Sequence, residues 1–351
     1  MKFNYTAQAT KYSIQLFTII AFLLIASSNG FSQTTSTTVA KKGEGIYTLL
    51  KRNGLSPSKY MNAFIDLNKT RLGKNNGLIV GRKYTLPKST GSSNTTTTST
   101  ASKGTSIGSF PIFGPKHANI KRIDKKLSGA VYYLVSGHGG PDPGAVSKHG
   151  KYQLAEDEYA YDVMLRLAKS LMEHGATVYM ITRDNNDGIR DNSFLKLDKD
   201  ERCYPNLRIP YNQLSRLRQR TNAVNNLYLK NKGKKYQRVI ITHVDSRTKR
   251  KNIDVFFYYD KRSKTGKKLA SNLLNTFNRK YREHQPGRGY EGYISSRNLY
   301  VLKHTYPPAT YIELGNINHS RDLQRIIKAD NRQALAKWLA EGLMLDFQNN
   351  K

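Results

Sequence analysis

Two hydrophobic patterns alternate along the chain after residue 128, and they predict strands and helices in turn. Short continuous apolar runs, such as 131–135 and 239–242, predict buried strands. Between 156 and 174 the apolar residues recur every three or four positions, which predicts a helix that ends before Gly175. This alternation is typical of an α/β fold with an open, mostly parallel sheet and helices on both of its faces.

The same patterns predict the remaining elements of this C-terminal region, which we place at 128–348. Helices are expected over 211–229, 265–281 and 321–347. Further strands are expected over 177–182, 253–259, 299–302 and 310–314.

Three segments of different character precede this region. A basic start, an apolar run over 16–26 and a small-residue exit predict a secretory signal peptide at 1–30. Residues 38–87 predict a compact module of one strand, two short helices and a closing strand. A Ser/Thr-rich stretch follows, and we place a flexible linker at 88–120. The signal predicts a protein exported to the periplasm, the cell wall or the extracellular space.

Charge and cysteine content narrow the possible chemistry. The formal net charge is +33, which favours an anionic partner such as nucleic acid, anionic lipid or an acidic wall polymer. Export argues against nucleic acid, and the apolar run is short for a stable membrane span. Cys203 is the only cysteine, which excludes an intramolecular disulfide and a cysteine-based metal cluster. A bound metal would therefore use histidine and carboxylate ligands.

Three predicted strands end in residues that could carry such chemistry. His138 follows the first strand, His243 ends the strand at 239–242, and Glu313 lies near the end of the last strand. Sites in open α/β sheets form outside the carboxyl ends of the strands, so these residues are expected to converge. Glu156 at the start of the long helix adds a carboxylate. Two imidazoles and one carboxylate leave a fourth zinc position for water.

The order of these motifs resembles the zinc-dependent N-acetylmuramoyl-L-alanine amidases over nearly the whole C-terminal region. The first motif is Gly-His-Gly-Gly at 137–140 followed by Asp-Pro-Gly-Ala at 142–145, and the last is Glu-Leu-Gly at 313–315. The resemblance implies Zn²⁺ ligands His138, Glu156 and His243, and a catalytic glutamate, Glu313. Helix register counted back from Gly175 favours Glu156, with Glu158 as the alternative. Arg220 is a further family-like residue, expected to support the structure or the rim of the pocket.

Residues 38–87 resemble the LysM peptidoglycan-binding module. Lys-Lys-Gly-Glu at 41–44 and Gly-x-x-Tyr-x-Leu-Pro at 81–87 carry the likeness. It implies a shallow groove near 43–46 that holds glycan containing N-acetylglucosamine. The two resemblances together imply a peptidoglycan hydrolase that cleaves the amide between N-acetylmuramic acid and L-alanine.

Some positions depart from the amidase pattern and keep alternatives open. Asp245 stands where the family has an amide, and Asn316 stands where an aromatic is usual. An inactive wall-binding protein and a zinc peptidase acting within the stem peptide are therefore the alternatives. Residues 185–214 are longer than usual and are predicted to be a surface insertion, with a flap or an autoinhibitory cover as alternatives. The acidic run 184–191 lacks the spacing of an EF-hand calcium loop and predicts a solvated loop.

Overall fold

The computed structural model describes residues 36–41, 44–55, 57–73, 76–88, 105–246 and 254–350. The chain divides into two compact units, Met1–Thr97 and Thr98–Lys351. The predicted signal peptide at 1–30 and positions 89–104 of the predicted linker lie outside the described residues. Within the described ranges, no helix has the length and apolar character needed to cross a membrane.

The N-terminal unit is a pair of strands joined through two helices. Strand β1 (Thr37–Val39) pairs antiparallel with β2 (Lys83–Thr85), and helices α1 (Ile46–Arg52) and α2 (Pro57–Leu67) lie between them in sequence. This order matches the predicted one. The LysM assignment stays a prediction, and the predicted groove begins at Gly43, which lies outside the described residues. The core of the unit includes the fully buried side chains of Leu49, Leu50, Phe64 and Tyr84.

The C-terminal unit contains the remaining strands and helices. Its strands are β3 (Ser106–Ser109), β4 (Asn119–Lys121), β5 (Ala130–Ser136), β6 (Val146–His149), β7 (Tyr152–Ala155), β8 (Thr177–Met180), β9 (Thr182–Arg183), β10 (Arg202–Cys203), β11 (Leu207–Arg208), β12 (Tyr236–Asp245), β13 (Phe256–Tyr259), β14 (Ile294–Ser296) and β15 (Ala309–Asn316). Its helices are α3 (Glu156–Glu173), α4 (Gln213–Lys230), α5 (Lys264–His284), α6 (Tyr300–His304), α7 (Ser320–Ile327) and α8 (Ala329–Gln348).

The main sheet has the order β14-β13-β15-β12-β5-β8 over the described residues. All neighbours are parallel except β13 and β15, which are antiparallel. Strands β12 and β5 lie in the interior of the sheet, and every residue of β5 is buried. This arrangement confirms the predicted open, mostly parallel α/β sheet.

Helices cover both faces of this sheet, as predicted. Along β5, Tyr132 and Leu134 point into one core, while Tyr133 and Val135 point into the other, because successive residues of a strand face opposite ways. The first core also contains residues of α3, α5, α7 and α8, and the second contains residues of α4 and α6. His138, His243 and Glu313 lie at or just after the carboxyl ends of β5, β12 and β15.

The structure corrects three details of the sequence interpretation. Residues 299–302, predicted as a strand, lead into helix α6, because a short apolar run does not distinguish the two. The predicted linker at 88–120 includes β3 and most of β4, which pair antiparallel, and Phe113 and Ile120 are buried in the main core. The predicted helical tail at 321–347 is two helices, since α7 ends before Lys328 and α8 begins after it.

Candidate metal centre

The loop after β5 carries His138 to the edge of the sheet. The backbone N–H of Gly137 donates to the carbonyl of Thr242 at 2.8 Å, so the loop starts beside β12. A Cβ atom on Gly137 would lie 2.1 Å from the ring of His243, so only glycine permits this approach. His138 itself has a φ of 59°, a left-handed conformation that is uncommon outside glycine.

The carboxylate of Glu156, at the first position of α3, is held from two sides. Its Oε2 accepts the backbone N–H of Ala145 at 2.9 Å, and its Oε1 accepts that of Val244 at 3.0 Å. The side chain is buried, with a relative exposure of 7%. These bonds fix the carboxylate between the loop after β5 and the end of β12.

His138, Glu156 and His243 converge. One possible ligand atom from each lies within 4.8 Å of the others. His138 Nε2 is 3.3 Å from Glu156 Oε2, and His243 Nδ1 is 2.7 Å from Glu156 Oε1. Zinc bonds of about 2.0–2.1 Å in a tetrahedral site place neighbouring donors about 3.3 Å apart. The His138–Glu156 separation matches this spacing, whereas His243 Nδ1 lies at hydrogen-bond distance from Glu156 and would have to move apart by about 0.6 Å. Two imidazoles and a carboxylate are nevertheless a donor set that suits zinc.

Contacts behind the triad orient the ring of His138. Its Nδ1 lies 2.9 Å from Oδ2 of Asp142, and the same oxygen accepts from Arg216 Nη2 at 2.6 Å. Arg220 donates to the backbone carbonyl of His138. The Nδ1 contact leaves Nε2 directed at Glu156. Arg216 is not identified by the sequence analysis. Its position one helical turn before Arg220 on α4 is a possible signal, because residues four apart lie on the same face of a helix.

Burial and mutual charge set the protonation of the triad. Burial lowers the pKa of His138, but its hydrogen bonds with Asp142 and Glu156 outweigh this effect and raise the pKa to about 10. Burial lowers the pKa of His243. Burial opposes ionisation of Glu156, yet both histidines hold its pKa well below the usual range. A metal ion would take the place of the proton on His138, because imidazole ligates in its neutral form.

Glu313 is a buried carboxyl group beside this triad. It lies opposite His243 in the parallel register of β15 and β12, and only 7% of its surface is exposed. Its Oε2 has no hydrogen-bond partner among the described residues. Burial, with repulsion from Glu156 and Asp245, raises its pKa well above the usual range. A carboxyl group with a raised pKa holds a proton more tightly than an ordinary glutamate, and once ionised it can accept a proton and return it during a reaction.

Glu158, the alternative to Glu156, is directed elsewhere. Its Oε2 accepts from Arg190 Nη1 at 2.8 Å, and its Oε1 accepts the backbone N–H of Asp198 at 3.0 Å. The structure therefore brings Glu156, and not Glu158, to the two histidines. The two departures from the family pattern, Asp245 and Asn316, are register partners at the ends of β12 and β15.

Comparison with known proteins matches this chain to a protein family. Residues 133–344 match the family model Amidase_3, N-acetylmuramoyl-L-alanine amidase, which is more than half of the 351-residue chain. The germination-specific N-acetylmuramoyl-L-alanine amidase of Bacillus subtilis is 26% identical over 231 residues, covering 63% of this chain and 81% of that protein.

Two further similarities involve a second curated protein and a solved structure. The probable cell wall amidase LytH of Staphylococcus aureus is 26% identical over 232 residues, covering 63% of this chain and 60% of that protein. The chain thus spans less than two thirds of the length of this relative. The N-acetylmuramoyl-L-alanine amidase AmiC2 of Nostoc punctiforme aligns over 63% of this chain and 99% of its own, with 19% identity and a TM-score of 0.45.

Proposed function

This chain belongs to the Amidase_3 family of N-acetylmuramoyl-L-alanine amidases, and we propose that it is a zinc-dependent, exported member that acts on peptidoglycan. The bond it cleaves is the amide between the lactyl group of N-acetylmuramic acid and L-alanine of the stem peptide. The family match favours this reaction over cleavage within the stem peptide and over an inactive wall-binding protein. The observation that carries the zinc proposal is the convergence of His138, Glu156 and His243 beside Glu313.

The proposed metal ligands are His138, Glu156 and His243. When bound, zinc polarises the scissile carbonyl and makes a water molecule a stronger acid. Asp142 holds the Nδ1 side of the His138 ring, and Arg216 holds Asp142 in turn. The two backbone N–H groups on Glu156 keep both of its oxygens in place. These contacts preorganise the ligands before the ion arrives.

Glu313 is the proposed general base and acid. Its carboxylate would take a proton from the attacking water and then deliver that proton to the nitrogen of the leaving L-alanine. Its Oε2, which has no hydrogen-bond partner in the described part of the chain, is available for this transfer. Burial of the group favours the protonated form, which suits the second step.

Replacement of Glu313 by glutamine tests this assignment. Glu313→Gln keeps the shape of the side chain but cannot accept the proton, so lysis of purified sacculi should fall about 10²- to 10⁴-fold. Bound zinc, measured per protein molecule, should stay unchanged. Glu283→Gln, at an exposed position on α5, is the matched control and should lyse sacculi normally. Full lysis by Glu313→Gln would contradict the proposed role.

The products distinguish the proposed bond from others in the wall. Mass spectrometry of digested sacculi should find glycan freed of complete stem peptides that begin with L-alanine. Shortened stems still attached to glycan would instead indicate a peptidase. We further propose that the N-terminal unit binds the glycan strand and that residues 1–30 direct export. The LysM resemblance and the separate buried core of this unit support the first proposal.

A further inference from the structure

Arg297 is an exposed arginine that directly follows β14. Its backbone N–H donates to the carbonyl of Tyr259 at 3.0 Å, which holds the residue beside β13. Its guanidinium carbon lies 4.9 Å from the ring centroid of Tyr258. Within the described ranges this guanidinium group forms no ion pair with a carboxylate. Its charge is therefore available to a ligand.

Successive ring contacts connect Arg297 with the metal centre. The ring of Tyr258 lies 6.1 Å from that of Tyr311, and the ring of Tyr311 stacks on His243 at 4.3 Å with 14° between the planes. Tyr258 and Tyr311 are register partners on β13 and β15. Glu313 lies two residues after Tyr311 on β15, so its side chain points to the same face of the sheet. These five side chains therefore lie on one face, the face that α4 and α6 cover.

The positive charge of Arg297 also acts on this centre. Burial, with repulsion from Glu156 and Asp245, raises the pKa of Glu313, and the charge of Arg297 opposes that rise. Burial likewise raises the pKa of Tyr311, and the same charge opposes it. Arg297 therefore lies within electrostatic range of Glu313, in agreement with the ring contacts.

The proposed mechanism determines which part of the substrate lies on this side. Glu313 would deliver its proton to the leaving nitrogen, so the nitrogen of L-alanine lies next to Glu313 and the glycan lies beyond the scissile carbonyl. The stem peptide then begins on the face of the sheet that carries Arg297. An extended peptide of two to four residues spans about 7–14 Å. The successive contacts of 4.3, 6.1 and 4.9 Å cover a comparable distance.

The charge of Arg297 complements the stem peptide and not the sugar. The lactyl carboxyl group of N-acetylmuramic acid is part of the scissile amide, so this sugar has no carboxylate left. A peptide carries at least one carboxylate, at its C-terminus, and the planar guanidinium group of arginine can bind it through two parallel hydrogen bonds. The half-exposed ring of Tyr293, 6.5 Å from that of Tyr258, adds an apolar surface beside the cation.

We propose that Arg297 binds a carboxylate of the stem peptide and thereby selects stems with free carboxylates over amidated ones. The inference rests on the proposed amidase function, because the direction of the stem follows from the role of Glu313. Arg297 would touch the substrate away from the reacting atoms, so it determines specificity and takes no part in the chemistry. The ring of Tyr258 holds the guanidinium group in place through a cation–π contact.

Two synthetic muropeptides with the same stem test the proposal, one with free carboxylates and one with carboxamides in their place. With the zinc-loaded wild type, kcat/KM for release of the stem should be about five- to tenfold higher for the carboxylate form. Arg297→Gln should lower kcat/KM for the carboxylate form to that of the carboxamide form, whose own value stays unchanged. Arg297→Lys keeps the charge without the planar group and should retain part of the preference.

Arg282→Gln is the matched control. Arg282 is an exposed arginine in the last turn of α5, and this helix packs against the opposite face of the sheet. The substitution removes the same charge from the molecule, but the preference for the carboxylate form should stay at the level of the wild type. Added salt should reduce the preference in the wild type and in Arg282→Gln alike, because ions screen an exposed charge pair.

A binding measurement separates this proposal from the proposed function. In calorimetry, zinc-loaded Glu313→Gln should bind the carboxylate form about five- to tenfold more tightly than the carboxamide form. The double variant with Arg297→Gln should bind the two forms equally. Because this measurement needs no turnover, it tests Arg297 whichever bond the protein cleaves.

Three results would overturn the proposal. They are equal affinity of Glu313→Gln for the two forms, an unchanged preference in Arg297→Gln, and an equal loss of kcat/KM on both forms in Arg297→Gln. The last result would show that Arg297 supports only the fold, and its melting temperature would fall in parallel. A wild type that shows the binding preference but releases no stem would contradict the proposed function alone.

Discussion

Glu156 and Glu158 are two positions apart on one helix, yet their surroundings have little in common. Glu156 lies between two histidines and accepts two backbone N–H groups, while Glu158 lies against Arg190. The surroundings of Glu156 position its carboxylate to bind a metal ion together with the two histidines. The carboxylate of Glu158 is instead neutralised by the guanidinium group of Arg190. Neighbouring acids in the first turn of a helix can therefore serve different purposes.

This contrast gives a prediction at the residue scale. Glu156→Gln should lower zinc affinity by more than about a hundredfold, because loss of a ligand exceeds the usual effect of losing an outer contact. Glu158→Gln should keep zinc and lose stability instead, since Arg190 would lose a charged partner. Competition with a chelating dye measures the first effect and urea unfolding the second. Equal zinc affinity in the two variants would contradict the assignment.

The sequence predicted some residues of the site better than others. His138, His243 and Glu313 follow apolar runs, and the ends of parallel strands meet at one edge of a sheet. Arg216 and Glu201 have no such pattern. They reach the loop after β5 from positions more than sixty residues away, through contacts that exist only in the folded chain.

At the scale of elements, the segment between β5 and α3 determines the geometry of the centre. It carries His138 at one end and leads to Glu156 at the other, with the hairpin of β6 and β7 between them. Gly144 lies in this segment with a φ of +69°, and a Cβ atom there would lie 2.7 Å from both Oε2 of Glu156 and the ring of His138. The packing of the two proposed ligands thus depends on the absence of a Cβ atom at this position.

Gly144→Ala should therefore impair metal binding. We expect zinc affinity to fall at least about tenfold and the free energy of unfolding to fall by about 1–3 kcal/mol, because the new methyl group must push a ligand aside. Gly150→Ala is a close control. Its φ of +59° imposes similar backbone strain, but a Cβ atom there meets nothing within 4 Å. An equal loss of zinc affinity in the two variants would show that backbone strain lowers the affinity, and that the contact of the new methyl group with Glu156 and His138 does not.

Hydrophobic periodicity predicted the long elements well and the short ones poorly. Helix α3 and strands β5 and β12 carry clear patterns because one face or the whole strand is buried. Helix α6 has five residues, too few to show a helical period, so its short apolar run predicts a strand equally well. Strands β3 and β4 contain few apolar residues and directly follow a Ser/Thr-rich stretch, so composition alone does not separate them from the predicted linker.

At the scale of the whole molecule, the two units have separate hydrophobic cores. The N-terminal core is built from residues of 40–86, and the C-terminal cores begin at Phe113. Removal of residues 1–97 should therefore leave a folded amidase. On soluble muropeptides its kcat/KM should match that of the chain beginning at residue 31, since the proposed zinc ligands and Glu313 all lie in the C-terminal unit.

On intact sacculi the two forms should differ. If the N-terminal unit binds glycan, the shorter form should bind sacculi more weakly and lyse them more slowly at equal concentration. The net charge of +33 offers a second route to an anionic wall, and salt separates the two routes. Attraction between exposed charges is largely screened beyond a Debye length of about 10 Å at 0.1 M salt, whereas binding in a glycan groove is affected much less. The difference between the two forms should therefore persist in high salt. If it disappears there, charge alone holds the protein to the wall, and the proposed glycan-binding role of the N-terminal unit is wrong.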